Sequence, residues 1–381
     1  MRIELSEEQK LLQETVRRFA VEVAKPRAKE IDETGEFPRS FFDQAGELGL
    51  AGVAMPEEYG GAGMDTVSYC LVIEEISRVC ATSGVILSVN NSLVCDPLLK
   101  FGTEEQKKEF LTPLAAGRKL GCFALTEPGA GSDPAGMRTT ARRDGDDYVL
   151  NGNKIFITNG TDADVALVFA SIDLEKKHKG ITCFIVPADT PGYHHGTHEF
   201  KLGVNASGTT ELAFQDMRVP ARWRLGGDGE GFKVAMATLD GGRIGIAAQA
   251  IGIAQAAFEE ALAYSQEREQ FNQHLSDFQA IQFYLADMAT ELDAGRLLTW
   301  KAAWLKDLGK RYTLEAAQAK LFTSEMSQRV TNKALQIHGG YGYTKEYNVE
   351  RYFRDARITE IYEGTSEIQK MVIADWVLNK A

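Results

Sequence analysis

The sequence predicts an α+β protein made of three consecutive parts: helical, β-rich, then helical again. Three observations carry this expectation. Amphipathic helical periodicity fills the first ~120 residues. Short β-prone runs punctuated by turn pairs extend from Leu120 to about Leu225. The helical period then returns after Gly231 and persists to the end. The expected parts are an N-terminal all-α domain at 1–119, a middle antiparallel β domain at 120–225, and a C-terminal helical bundle of about four long helices at 226–381.

In chain order, Ser6 and Gln9 have the spacing of a capping box, and Leu12, Val16, Phe19 and Val23 repeat on one helix face until Pro26. A second helix is expected after Ser40, a loop at Pro56 to Gly61, and a third helix carrying Val72, Ile73, Ile76 and Val79. Thr103 and Gln106 form a second capping box, opening a helix that carries Phe110 and Leu111 before Pro113. Strands are expected at Gly121 to Leu125, Tyr148 to Leu150, Lys154 to Thr158, Val165 to Ala170, Ile181 to Val186 and Glu211 to Phe214. Asp144-Gly145 and Asn151-Gly152 read as hairpin turns. In the last part, Ile281, Leu285, Met288 and Leu292 form the clearest stripe.

Composition narrows the function. Forty-two basic against fifty-four acidic residues give a net charge of -12, which argues against nucleic acid or an anionic membrane surface as the main partner. Five scattered cysteines without a CxxC pair indicate neither a disulfide framework nor a zinc site, and they fit a reducing cytosol. The acidic, helix-like opening from Met1 to Gln9 lacks the features of a targeting peptide, so a cytoplasmic location is expected. The longest apolar region, Ile244 to Phe258, is interrupted by Gln249 and Gln255 and reads as a buried helix. The Tyr193-His194-His195-Gly196-Thr197-His198 run has metal-like spacing without an obvious fourth ligand, so exposed loop histidines are expected there and no metal.

Three stretches carry candidate chemistry. In Ile361-Tyr362-Glu363-Gly364-Thr365-Ser366, an apolar pair sets a carboxylate against a turn, and Gly364 lets another molecule approach the backbone. Desolvation raises a carboxyl pKa toward neutrality, which suits a general base; the alternative is that Glu363 merely caps a helix. The loop Glu127-Pro128-Gly129-Ala130-Gly131-Ser132-Asp133 follows a strand, and its bare amides suit a phosphate or simply a tight turn. Phe156 and Thr158 alternate on one strand, where they wall and hydrogen-bond a flat ring or divide between core and surface.

The ordered set FALTEPGAGSD, FITN, LDGGR, Arg268-Glu269-Gln270-Phe271, QIHGGYGY and IYEGTSEIQ resembles the acyl-CoA dehydrogenases, most closely the short-chain, butyryl-CoA type, over essentially the whole chain. The resemblance implies an FAD-dependent enzyme that converts an acyl-CoA to a trans-2-enoyl-CoA and passes electrons to electron-transferring flavoprotein. It implies that Glu363 is the catalytic base. It places FAD contacts on Phe123, Ala124, Leu125, Thr126, Ser132, Phe156, Ile157 and Thr158, and on Thr365 and Glu367 after the base.

Arg268, Phe271, Gln279, Gln336, Gly339 and Gly340 match contacts to the FAD of a neighbouring subunit, which implies a homo-oligomer, usually a tetramer. Substrate contacts fall on Ser132, Asp240, Arg243 and Gly364; Asp240 and Arg243, the two charged residues of LDGGR, also have the spacing of a local ion pair. Some relatives carry their base at the position of Gly242, which cannot abstract a proton. Phe156 stands where relatives usually have Trp, Asn205 where they often have Arg, and Asn272 where they have Gly. The acyl pocket is expected along the helix around Ser88 to Leu99, with a branched or cyclic acyl group, or a non-catalytic flavoprotein role, as the alternatives.

Overall fold

A computed structural model describes residues 4–379, so Met1 to Ile3 of the acidic opening segment lie outside the described residues. The N-terminal part contains α1 (Glu7–Phe19), α2 (Ala28–Thr34), α3 (Arg39–Glu47), α4 (Thr66–Ser77), α5 (Ala81–Ser88), α6 (Asp96–Phe101), α7 (Glu104–Gln106) and α8 (Thr112–Ala115). Both capping boxes form: the Ser6 and Thr103 hydroxyls accept from the Gln9 and Gln106 amides, and those glutamine side chains accept from the capping backbone N–H groups. The second expected helix begins at Arg39, and α2 precedes it. Pro113 does not end the last helix but sits in the first turn of α8, where a missing N–H costs nothing. Wide π-type turns at Val89–Cys95 and Lys107–Leu111 carry the chain between helices.

The middle part is one sheet of β1 (Gly121–Ala124), β2 (Thr140–Asp144), β3 (Asp147–Ile157), β4 (Val165–Ser171), β5 (Ile181–Pro187), β6 (Tyr193–His198), β7 (Thr210–Pro220) and β8 (Arg224–Leu225). The strand order is β6-β7-β3-β2-β4-β5-β8, with β1 beside β4. The sheet is mixed rather than antiparallel throughout, because β1 and β2 both run parallel to β4. Asp144-Gly145 makes the expected β2–β3 hairpin, with Gly145 at φ 64. Asn151-Gly152 does not turn the chain. It lies inside the single long β3, at a register shift against β7, where the Asn151 side chain pairs with Asp216 and Gly152 packs on Thr139. The histidine run is not a loop but strand β6, with His195 Nδ1 bonded to the Gly160 carbonyl. Among the described residues no His, Cys, Asp and Glu group has the form of a metal site.

The C-terminal part holds α9 (Gly231–Glu267), the short hairpin β9 (Glu269–Gln270) and β10 (Gln273–His274), then α10 (Gln279–Asp307), α11 (Thr313–His338), α12 (Val349–Arg357) and α13 (Ser366–Asn379). Only three of these helices are long; the bundle gains its further wall from α4 of the N-terminal part, which packs on both α9 and α10. A buried Arg296–Glu74 pair at 2.8 Å ties α10 to α4. The long α9 is buried over much of its length by Gly, Ala and Ile, small enough for close approach on several sides. No helix among the described residues is long and apolar enough to cross a membrane.

Candidate active site

The β domain supplies one wall. At the register shift between Lys154 and Ile157, Phe156 adopts φ 58 and leaves its ring 61% exposed, while Ile157 returns to the core. A left-handed backbone is unfavourable for a residue with Cβ, so surrounding contacts must hold it. The Ile155 amide donates to the Thr126 carbonyl at 2.9 Å. Beneath it, the fully buried Lys154 ammonium donates to Leu125 O at 3.1 Å and to Glu127 Oε1 at 2.7 Å. Burial would raise the Glu127 pKa, but Lys154 and the Thr139 and Arg138 amides hold it below its ordinary value. Burial pushes Lys154 down to about 8, against the attraction of Glu127. The pair thus fastens Phe123 to Thr126 against Phe156 to Thr158. The adjoining loop leaves Ser132 exposed, and nothing lies within 4 Å of where a side chain would sit on Gly129 or Gly131.

Glu363 stands on the opposite wall, in the turn between α12 and α13. Glu363 and Gly364 have φ 53 and 87, two left-handed residues in succession. The Gln369 side-chain amide donates to both carbonyls, at 3.0 and 2.9 Å, and Lys320 Nζ from α11 donates to Gly364 O at 2.7 Å. Thr365 Oγ1 accepts from the Ile368 amide, so the capping role falls to Thr365 and not to Glu363. Glu363 Oε2 is buried with no hydrogen-bond partner. Burial raises the Glu363 pKa to about 7, against the nearby charges of Arg243 and Lys320, which favour its ionised form.

That carboxylate occupies the space above Gly242 of α9. A Cβ there would sit 2.5 Å from Glu363 Oε2 and 2.8 Å from Leu93, so the glycine is a requirement of the site. One residue on, Arg243 Nη1 donates to Asp240 at 2.6 Å, and Thr313 donates to the other Asp240 oxygen at 2.6 Å. The local ion pair therefore exists. Arg243 Nε is nevertheless buried without a partner, and its charge acts on Glu363, so the pair has donor capacity left for another molecule.

Between the walls lies a small apolar cluster of Val85, Val89, Leu93 and Ile246, against which both Phe123 and Tyr362 pack. Polar groups stand close by in the chain: buried Gln249 donates to Ala81 O at 3.0 Å and accepts from the Tyr362 hydroxyl, and Tyr69 and Ser88 hydroxyls meet at 2.9 Å beside Gly245.

Arg268, Gly339 and Gly340 line a different cavity of about 500 Å³ with Tyr264, Ile337 and Tyr341. Phe271 projects 88% exposed from the β9–β10 turn, and Gln279 and Gln336 are exposed as well. Asn272 takes φ 64 there, so it fills the left-handed position that glycine would otherwise supply. Asn205 also has a role: its amide donates to the Asp32 carbonyl and carboxylate. Thr365 is half-buried in the Glu363 turn and Glu367 is exposed. Sequence reasoning missed Lys154, Glu127, Lys320 and Gln249. The signal for Lys320 was its place among Ala316, Ala317, Ala319 and Thr323, on the small-residue face of α11.

An exposed aromatic on a strained bulge, a loop of open glycines, and a second cavity carrying an arginine and two glycines together suit a large cofactor with one flat ring system and a phosphate-bearing tail. Three family models cover nearly the whole chain: acyl-CoA dehydrogenase N-terminal domain at residues 6–118, middle domain at 122–217 and C-terminal domain at 229–378. The chain belongs to the acyl-CoA dehydrogenase family.

It is therefore an FAD-dependent oxidoreductase. It is 53% identical over 376 residues to the short-chain specific acyl-CoA dehydrogenase, mitochondrial, of Bos taurus, covering 99% of this chain and 91% of that relative. The solved butyryl-CoA dehydrogenase of Megasphaera elsdenii superposes with a TM-score of 0.98 at 47% identity, covering 100% of both chains. A chain in a structure described as "Electron transferring flavoprotein of Acidaminococcus fermentans: Towards a mechanism of flavin-based electron bifurcation" also gives 0.98, at 48% identity and 100% of both chains.

Proposed function

We propose that this acyl-CoA dehydrogenase acts on short acyl chains, about butyryl in size, with Glu363 as the catalytic base and electron-transferring flavoprotein as the electron acceptor. The observation that carries the reading is the unpartnered, buried Glu363 Oε2, next in the chain to Tyr362, which packs on the small apolar cluster and bonds Gln249. A small apolar cluster bordered by hydrogen-bonded polar groups favours a short acyl chain, since one methylene is worth roughly 1–3 kcal/mol in a hydrophobic pocket.

In this reading Glu363 Oε2 removes the α-proton of the thioester, and the left-handed Gly364 gives the acyl group room beside the base. Bound FAD supplies the acceptor for the β-hydrogen and its electron pair, and loss of proton and hydride leaves the trans-2-enoyl thioester. Phe156 and Thr158, with Phe123 to Thr126, Ile157, Ser132, Thr365 and Glu367, would hold the FAD. Arg268, Phe271, Gln279, Gln336, Gly339 and Gly340 would hold the cofactor of a neighbouring subunit in a homotetramer. Exposed Phe271 supports this, since an aromatic ring left in water gains by being covered. Arg243, with its free Nε, and Asp240 would meet the thioester's CoA portion together with Ser132. Five buried, unbridged thiols support a reducing, cytoplasmic setting. The proposed division is 1–119, 120–225 and 226–381.

Anaerobic addition of acyl-CoA thioesters from about C4 to C16 to the flavin-loaded protein tests this. Bleaching of the flavin by the shortest chains alone is the expected result. Bleaching by long, branched or cyclic chains only would overturn the short-chain reading, and bound flavin with no bleaching by any thioester would overturn the enzyme reading.

A further inference from the structure

Lys320 is fully buried in α11, and among the described residues no carboxylate closes an ion pair with it. The other fully buried lysine, Lys154, has Glu127 at 2.7 Å. An ammonium taken out of water without a counter-ion is costly, and the fold retains this one at a single point: 2.7 Å from the carbonyl of Gly364, the residue after the base. Its charge and its hydrogen bond act on the same turn. The bond pins a pair of left-handed residues that would otherwise relax, and the charge favours the ionised form of Glu363.

We infer that Lys320 is a positioning residue for the reaction: through Gly364 it holds the Glu363 turn in its strained conformation, and its cation keeps the buried carboxylate ionised and ready to take a proton. This rests on Glu363 being the base. The charged groups around the pair are Arg243 and its partner Asp240 on α9, Glu325 on α11 itself, and Glu367 on α13; Glu325 is engaged by Lys370 and Asp240 by Arg243 and Thr313. None of them reaches Gly364 O, which is shared by Lys320 and Gln369 alone among the described residues. Burial pushes Lys320 down to about 7 against the attraction of Glu363, so the cation persists most firmly while the base is ionised.

The test separates the two actions. Lys320→Gln keeps a donor but removes the charge; Lys320→Met removes both. Each is purified with its flavin, and the rate of anaerobic flavin reduction by a short acyl-CoA is followed across pH, alongside amide exchange over residues 362–369. In both variants the acid limb of the rate profile is expected to move to higher pH by about one unit, because loss of the cation raises the base's pKa. The Met variant should also lose about a hundredfold in its high-pH rate and exchange faster in the turn, because a small misplacement of a base is that costly. Lys320→Arg should restore the acid limb. Unchanged limbs in Gln and Met variants that merely unfold at lower temperature would overturn the inference, since a structural lysine affects stability and not the base's titration. Wild-type protein that no acyl-CoA reduces would instead strike the proposed function, so the two failures are told apart.

Discussion

Among the left-handed residues that are not glycine, Phe156 at φ 58 and Glu363 at φ 53 make an informative pair. Each is fastened from behind by a buried lysine, Lys154 bonding Leu125 O and Lys320 bonding Gly364 O. The difference lies in the counter-charge. Lys154 has its own carboxylate, Glu127, which accepts three hydrogen bonds and is fully satisfied. Lys320 forms no ion pair among the described residues, and Glu363 supplies the chief attraction on it. The β wall is thus electrostatically closed and offers only a surface, Phe156 lying open. The base turn is electrostatically open and keeps an unpartnered oxygen inside the protein. The same arrangement, a strained residue near a buried lysine, leaves a passive wall where the charge is neutralised and an unpartnered carboxylate where it is not.

The contrast can be broken most sharply at the base. Glu363→Gln keeps the shape and removes the acceptor, so flavin reduction by acyl-CoA is expected to slow by roughly a hundred- to ten-thousandfold with flavin content unchanged; stopped-flow absorbance measures it. The corresponding change behind the wall, Lys154→Met, leaves Glu127 buried and uncompensated. It should cost about 3–5 kcal/mol of stability in denaturant unfolding and release flavin, without altering the pH dependence of whatever activity survives.

A third outcome turns on sign. The Glu363 pKa rises from an ordinary 4.5 to about 7 on burial, so the folded protein holds a proton that the unfolded chain has released between those values. The resulting penalty is absent below the unfolded value, grows as pH rises through the window, and is full above about 7. Glu363→Gln should therefore stabilise the ligand-free protein by up to roughly 3 kcal/mol at pH 8 and by almost nothing near pH 4.5, as thermal unfolding at the two pH values would show. The smallest effect is expected from the wall itself: Phe156→Ala removes a ring that already lies in solvent, and should weaken flavin retention by about tenfold, read by equilibrium dialysis, with little change in stability.

Much of this architecture was legible in the sequence because it is local. The capping boxes at Ser6 and Thr103, the Asp144-Gly145 hairpin and the stripe through Met288 and Leu292 rest on residues a few positions apart, whose preferences agree with the packing around them. The readings that changed were those in which packing overrode a local signal. Asn151-Gly152 has turn chemistry but is drawn straight by pairing with β7, and the histidine run has loop composition but is held as an edge strand by the same partner.

For the site, the sequence alone determined that Glu363 sits between apolar residues and a glycine, that Gly242 cannot be a base, and that the candidate contacts recur in a known order. Only the tertiary structure decided what environment Glu363 has. Lys320 meets its turn across 44 residues and Gln249 meets Tyr362 across 113, while Gly242 opens the space for its carboxylate from a distant helix. Desolvation and through-space charge depend on which atoms surround a group, and chain separation carries no information about that until the helices have packed.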